Sequence, residues 1–75
     1  MVKVLLGDDQ PQIRSTISDL CEYIIQIEIE TFETGEQLVD GAKTSRYDLI
    51  ITDFNYGLGI NGIEVIRRIR EFNIS

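Results

Sequence analysis

Three acidic residues stand at the positions in this chain best suited to chemistry. Asp8 and Asp9 directly follow the apolar run Val4-Leu5-Leu6-Gly7, and Asp53 directly follows a second run, Leu49-Ile50-Ile51-Thr52. Carboxylates are hard oxygen donors that suit Mg²⁺, a cation that keeps several waters and often bridges to phosphate. A carboxylate can itself be a nucleophile toward phosphorus. Phosphoryl transfer asks mainly for in-line placement and charge neutralisation. A cation beside Asp53 would provide the neutralisation. Gly57, Gly59 and Gly62 follow Asp53 in a glycine-rich loop; each is expected to take a positive φ and to let backbone approach a bound group closely.

Each acid also has a plainer reading. Asp9 or Gln10, ahead of Pro11, is a ready N-cap, with proline suited to the first turn of a helix. Asp53 ahead of a glycine-rich loop is a ready turn residue. What favours chemistry is the pairing of both positions, each at the carboxyl end of a strand.

The elements that must position these acids alternate along the chain. Residues 2–6 are an apolar strand. Ile13, Ile17, Leu20 and Ile24 recur at spacings of four, three and four, which predicts a helix over about 11–24 with one buried face. Residues 27–32 alternate Ile27, Ile29 and Thr31 against Glu28 and Glu30, the pattern of a half-exposed strand. Leu38, Val39 and Ala42 mark a short helix over about 35–43. Residues 48–52 are a continuous apolar strand, expected in a central position covered on both faces. The last helix, about 62–72, carries Ile63, Val65, Ile66, Ile69 and Phe72 inward, with Arg67, Arg68 and Arg70 on a solvated face near its carboxyl end. Strand, helix, strand, helix, strand, helix means an α/β layer with a parallel sheet and right-handed crossovers. Ligands of such sheets bind outside the carboxyl ends of the strands. If the first and third strands are neighbours, Asp8, Asp9 and Asp53 converge there, and their mutual repulsion favours a cation among them.

Size and composition bound the remaining classes. A chain of 75 residues buries only ~60% of the surface its unfolded form exposes, so its core is marginal. The residues are 43% hydrophobic and 27% charged, which is globular composition rather than disorder. With 13 Asp and Glu against 7 Lys and Arg, the segment is not expected to bind nucleic acid by its own charge. One cysteine, Cys21, excludes an internal disulfide and is read as packing beside the first helix's apolar face. There is no histidine for a zinc finger. The apolar runs are too short for a signal peptide or a membrane span, so the chain is read as cytoplasmic. Tyr56 is read as loop packing.

Three segments together resemble the receiver domain of two-component response regulators. They are Val2-Lys3-Val4-Leu5-Leu6-Gly7-Asp8-Asp9-Gln10-Pro11, then Tyr47-Asp48-Leu49-Ile50-Ile51-Thr52-Asp53-Phe54-Asn55, then Asn61-Gly62-Ile63-Glu64-Val65-Ile66-Arg67-Arg68-Ile69-Arg70. The resemblance implies a flavodoxin-like parallel sheet, truncated here to βαβαβα with strand order 2-1-3, so that residues 1–75 form a partial receiver domain. It implies Asp53 as phosphoacceptor, supplied by the phosphohistidine of a sensor histidine kinase. It implies Mg²⁺ held by Asp8, Asp9 and Asp53, one of the paired acids acting through water, with the backbone carbonyl of Asn55. It also implies an output domain in the parent protein.

Three departures stand beside it. The family's common Met-Pro pair after the phosphoacceptor is replaced by Tyr56-Gly57, and Gly62 lies nine residues after Asp53, one more than usual. The family's Ser/Thr after a fourth strand and Lys after a fifth have no counterpart, so phosphotransfer is expected to be impaired. A third strand with no fourth beside it would present an open apolar edge, through which a homodimer is expected. The competing function is therefore a non-catalytic half-receiver that only self-associates or binds a partner. A phosphatase of the haloacid-dehalogenase class also uses a strand-end Asp, but as Asp-x-Asp on its first strand; here the second acid's position is Asn55.

Overall fold

The computed structural model describes residues 2–23 and 27–73. Its elements are β1 (Val2–Gly7), α1 (Pro11–Glu22), β2 (Ile27–Phe32), α2 (Gly35–Thr44), β3 (Leu49–Thr52) and α3 (Gly62–Phe72). The three strands form one parallel sheet in the order β2-β1-β3. The register pairs Leu6 with Thr31 on one side and with Ile51 on the other, which brings the carboxyl ends of β1 and β3 level.

Local chemistry sets where the helices start. Pro11 opens α1, where its missing N–H costs nothing. Thr34 caps α2 by accepting from the Gln37 N–H at 3.1 Å, and Asn61 caps α3 by accepting from the Glu64 N–H at 2.9 Å.

β1 is the buried centre of the sheet. Leu5 points into a core made with Leu38, Val39 and Ala42 of α2, Val65 and Ile69 of α3, and Tyr56 from the β3–α3 connection. Val4 and Leu6, alternating with Leu5, are buried on the other face. Burying each such side chain stabilises the fold by about 1.5–3 kcal/mol.

The order is the 2-1-3 that the resemblance implies, with β1 at the centre and β3 at an edge. Three other expectations are corrected here. The cover on both faces that the apolar run of β3 suggests is not there: Leu49 and Ile51 remain 50% and 39% exposed. No residue of α1 is buried; Ile17 is half-buried, but Ile13 and Leu20 are 41% and 59% exposed. A single helix over that face of a three-stranded sheet leaves the outer part of its apolar stripe in water. Ile24 lies outside the described residues. In α3 the inward side is Gly62, Val65 and Ile69, whereas Ile63, Ile66 and Phe72 are exposed. Ile63 and Ile66 instead line a shallow apolar depression with Thr52, Phe54 and Gly62, beside the open edge of β3. Cys21 is a half-buried free thiol. Among the described residues, no helix is long and apolar enough to cross a membrane.

Candidate functional site

The parallel register delivers the three acids to one place. One carboxylate oxygen from each of Asp8, Asp9 and Asp53 lies within 4.8 Å of the other two, and all three residues are half-buried. Oxygen ligands of an octahedral cation held at ~2.1 Å stand roughly 3–4 Å apart. Small rotations of these side chains, or one bridging water, therefore close the set around a hard cation. The donor chemistry fits Mg²⁺.

The plainer roles leave these acids largely uncommitted. The N-cap of α1 is Gln10, and no side chain caps that helix. Asp9 is thus not the cap. Asp8 Oδ1 accepts from the Gln10 N–H at 2.9 Å, which spends one of its oxygens on the turn. The Asn55 N–H faces Asp53 Oδ1 at 3.4 Å, too long for a strong bond. The turn after β3 is held by Asn55 instead, whose Oδ1 accepts from the Gly57 N–H at 2.8 Å.

The backbone beneath the acids is fixed from several directions. The Asp53 N–H donates to the Gly7 carbonyl at 2.9 Å, and the Asp8 N–H donates to the Phe32 carbonyl at 3.0 Å. Arg14 of α1 donates to the Asp8 carbonyl at 2.7 Å. Thr52 Oγ1 donates to the Asp53 carbonyl at 3.0 Å and lies 2.7 Å from the Tyr56 hydroxyl. Burial pushes the Tyr56 phenol above its ordinary pKa of 10.0; the charges of Asp53 and Asp8 push the same way, opposed by its hydrogen bonding with Thr52 and the Asp53 backbone.

The glycines divide into two kinds. Gly57 (φ +82°) and Gly59 (φ +76°) occupy the left-handed region, as expected. Gly57 also runs close to Asp9, since a Cβ there would meet Asp9 Oδ2 at 3.5 Å. Gly62 is different: it is the buried first residue of α3, and a Cβ there would strike the Asp53 carbonyl oxygen. Close approach, not positive φ, requires glycine at that position.

Sequence reasoning missed three contributors. Arg14 holds the loop after β1. Glu36 accepts from the Ile60 N–H at 3.2 Å and ties the glycine-rich loop to the start of α2. The Tyr56 hydroxyl lies buried beneath the site. Only the polar Thr52 at the end of an apolar strand hinted at a hydroxyl pair. Arg67 and Arg68 are exposed as expected, but they are paired with Glu64, and Arg67 also with Glu71.

The sequence profile of the response regulator receiver domain matches residues 4–75. The chain belongs to this family. The transcriptional regulatory protein ComA of Bacillus subtilis (strain 168) is 31% identical over 97% of this receiver chain and 35% of its own length. The response regulator TrrA, in its complex with the histidine kinase ThkA, is 36% identical with a TM-score of 0.86, covering 100% of this chain and 63% of that one. TrrA from Thermotoga maritima, in complex with Mg²⁺–BeF, gives 35% identity and a TM-score of 0.86, over 95% of this chain and 60% of that one. The Vibrio cholerae chemotaxis protein CheY4 gives 32% and 0.85, over 95% and 57%. The chain thus spans about a third of the curated relative's length and about three fifths of these receivers. Its three-stranded parallel sheet in the order 2-1-3, with three helices, matches their fold over that part. It is a receiver-domain chain of two-component signalling.

Proposed function

We propose that residues 1–75 are the phosphoacceptor part of a receiver, in which Asp53 accepts a phosphoryl group from the phosphohistidine of a sensor histidine kinase in a Mg²⁺-dependent step. The observation that carries this reading is the convergence of Asp8, Asp9 and Asp53 within 4.8 Å, from the ends of two strands far apart in sequence. Support comes also from TrrA, whose structures include one with a histidine kinase and one with Mg²⁺–BeF.

In the reaction an Asp53 carboxylate oxygen forms the new P–O bond while the P–N bond of the phosphohistidine breaks. The electron pair of that bond returns to the imidazole nitrogen. Asp8, Asp9, Asp53 and the Asn55 backbone carbonyl would hold Mg²⁺, one of the paired acids through water. The bound ion supplies charge neutralisation for the phosphoryl oxygens. The chain is an acceptor rather than an enzyme. The family's Ser/Thr and Lys have no counterpart among these residues, so transfer to them alone is expected to be slow. The phosphorylated form would shift a conformational equilibrium read by an output domain of the parent protein, with the whole acting in the cytoplasm.

A second reading rests on the open edge of β3. Leu49 and Ile51 on the strand and Phe54 and Ile63 beside it are exposed. A two-fold axis perpendicular to the sheet would pair β3 with β3 of a second copy and bring the Ile63 and Ile66 stripes together on one face. Light scattering that gives a monomer mass across all concentrations would remove this dimer.

Beryllofluoride, a mimic of the phosphoryl group, tests the first reading. Its bound fluorine NMR signal is expected with Mg²⁺, and is expected to vanish without Mg²⁺ or in Asp53→Asn. A signal that survives in Asp53→Asn, or none in the parent chain, would overturn it.

A further inference from the structure

The two halves of the acid cluster are joined beneath the surface by a small polar joint that the proposed chemistry does not use directly. Thr52 pairs in register with Gly7, the residue that leads into Asp8 and Asp9, and itself leads into Asp53. Gly7 is buried, and its carbonyl accepts the Asp53 N–H at 2.9 Å. A Cβ on Gly7 would collide with the Tyr56 hydroxyl, so the phenol reaches under the end of β1 as well as the end of β3. The ring is 4% exposed and packed in the core.

Hydrogen-bond directions follow from the donor count. A threonine hydroxyl has one proton. Thr52 donates it to the Asp53 carbonyl at 3.0 Å. Either hydroxyl can donate in the 2.7 Å contact with Tyr56; with the Thr52 proton on the Asp53 carbonyl, the phenol is the donor. The chain of bonds runs from Tyr56 to Thr52 to the Asp53 peptide, with the Tyr56 oxygen lodged against Gly7. It is partly buried and directional, an arrangement that fixes geometry.

We propose that Tyr56 is a positioning residue for the acidic site: its hydroxyl, through Thr52, sets the Asp53 peptide against the Gly7 end of β1 and so fixes the spacing of Asp53 from Asp8 and Asp9. This inference rests on the proposed Mg²⁺ site. Tyr56→Phe deletes one oxygen and keeps the ring in the core. Loss of one neutral hydrogen bond from the cation-competent geometry lowers Mg²⁺ affinity by about threefold to tenfold.

The test is a Mg²⁺ titration of the 75-residue chain, followed by the amide NMR shifts of Asp8, Asp9 and Asp53, with circular dichroism melts in parallel. Tyr56→Phe and Thr52→Val are each expected to weaken Mg²⁺ binding to that extent. The double variant should be no weaker than either alone, because one linkage is cut twice. Thr52→Ser, which keeps the hydroxyl, should restore parent affinity. If Tyr56→Phe unfolds, the Thr52→Val and Thr52→Ser pair decides alone. Parent-like affinity in Tyr56→Phe or Thr52→Val, or additive losses in the double variant, overturns the positioning role while the metal site stands. A parent chain that does not bind Mg²⁺ overturns both.

Discussion

Substitution of Gly62 by alanine tests the coupling between fold and site in a single methyl group. The added Cβ would lie against the Asp53 carbonyl oxygen, 3.0 Å from Phe54 Cα and 3.1 Å from the Asp53 carbonyl carbon. All three are backbone atoms, so no side-chain tip can swing aside. The same backbone is tied to Gly62 by its own N–H, which donates to the Phe54 carbonyl at 2.8 Å. Overpacking of this kind costs about 1–3 kcal/mol. Alanine in place of glycine in a helix returns about 0.5–1 kcal/mol. The crowding wins, leaving a net loss of about 1–2 kcal/mol. In a domain of this size each kcal/mol moves the melting temperature by about 4–8 °C. Thermal melts followed by circular dichroism are therefore expected to show Gly62→Ala melting about 4–16 °C below the parent. Because the displaced atoms belong to the Asp53 peptide, Mg²⁺ affinity should fall in the same variant under conditions where it is still folded. A variant that melts at or above the parent temperature would refute the reasoning, since it would mean that helix propensity outweighs the contact.

Other perturbations separate core, surface and charge. Leu38→Ala empties a fully buried position and should cost about 2–5 kcal/mol in urea unfolding, whereas Leu58→Ala, at 85% exposure, should stay within about 0.5 kcal/mol. Glu64 should titrate at about 2, below its ordinary 4.5, because Arg67 and then Arg68 hydrogen-bond to its carboxylate. A carboxylate whose folded pKa is depressed adds stability that is present above the unfolded value and is lost as pH falls through the folded one. The contribution of Glu64 should therefore fade between about pH 4.5 and 2, and carbon NMR of its carboxyl in the parent and in Arg67→Ala would show the shift and its relief.

The fold was legible because its signals are local. The apolar run before Asp8, the Pro11 start and the alternation of strand and helix patterns all act within a few residues. The convergence of Asp8, Asp9 and Asp53 was legible at one remove, through the rule that parallel strands gather their carboxyl ends on one side. What did not show was anything set by a neighbour's presence. Leu49 and Ile51 have the composition of a covered strand, yet both stay exposed, and the edge position of β3 was legible only through the 2-1-3 order that the resemblance implies. Ile13 and Leu20 carry a helical stripe wider than the sheet face it meets. Ile63 and Ile66 fall on the helical period of α3, yet that flank turns toward the open edge. Gly62 was legible as an obligatory glycine for the wrong reason, because a collision with the Asp53 carbonyl depends on how α3 docks. The Tyr56 hydroxyl and the Glu36 tether depend on contacts across the fold that no spacing encodes.

The central claim is that Asp53 is a phosphoacceptor held in a cation site with Asp8 and Asp9. Intact mass after incubation with acetyl phosphate and Mg²⁺ tests it most directly, for the parent chain and for Asp53→Asn. One added phosphate on the parent, absent from Asp53→Asn and dependent on Mg²⁺, is the predicted result. No added phosphate on the parent, or an equal gain in Asp53→Asn, would contradict it.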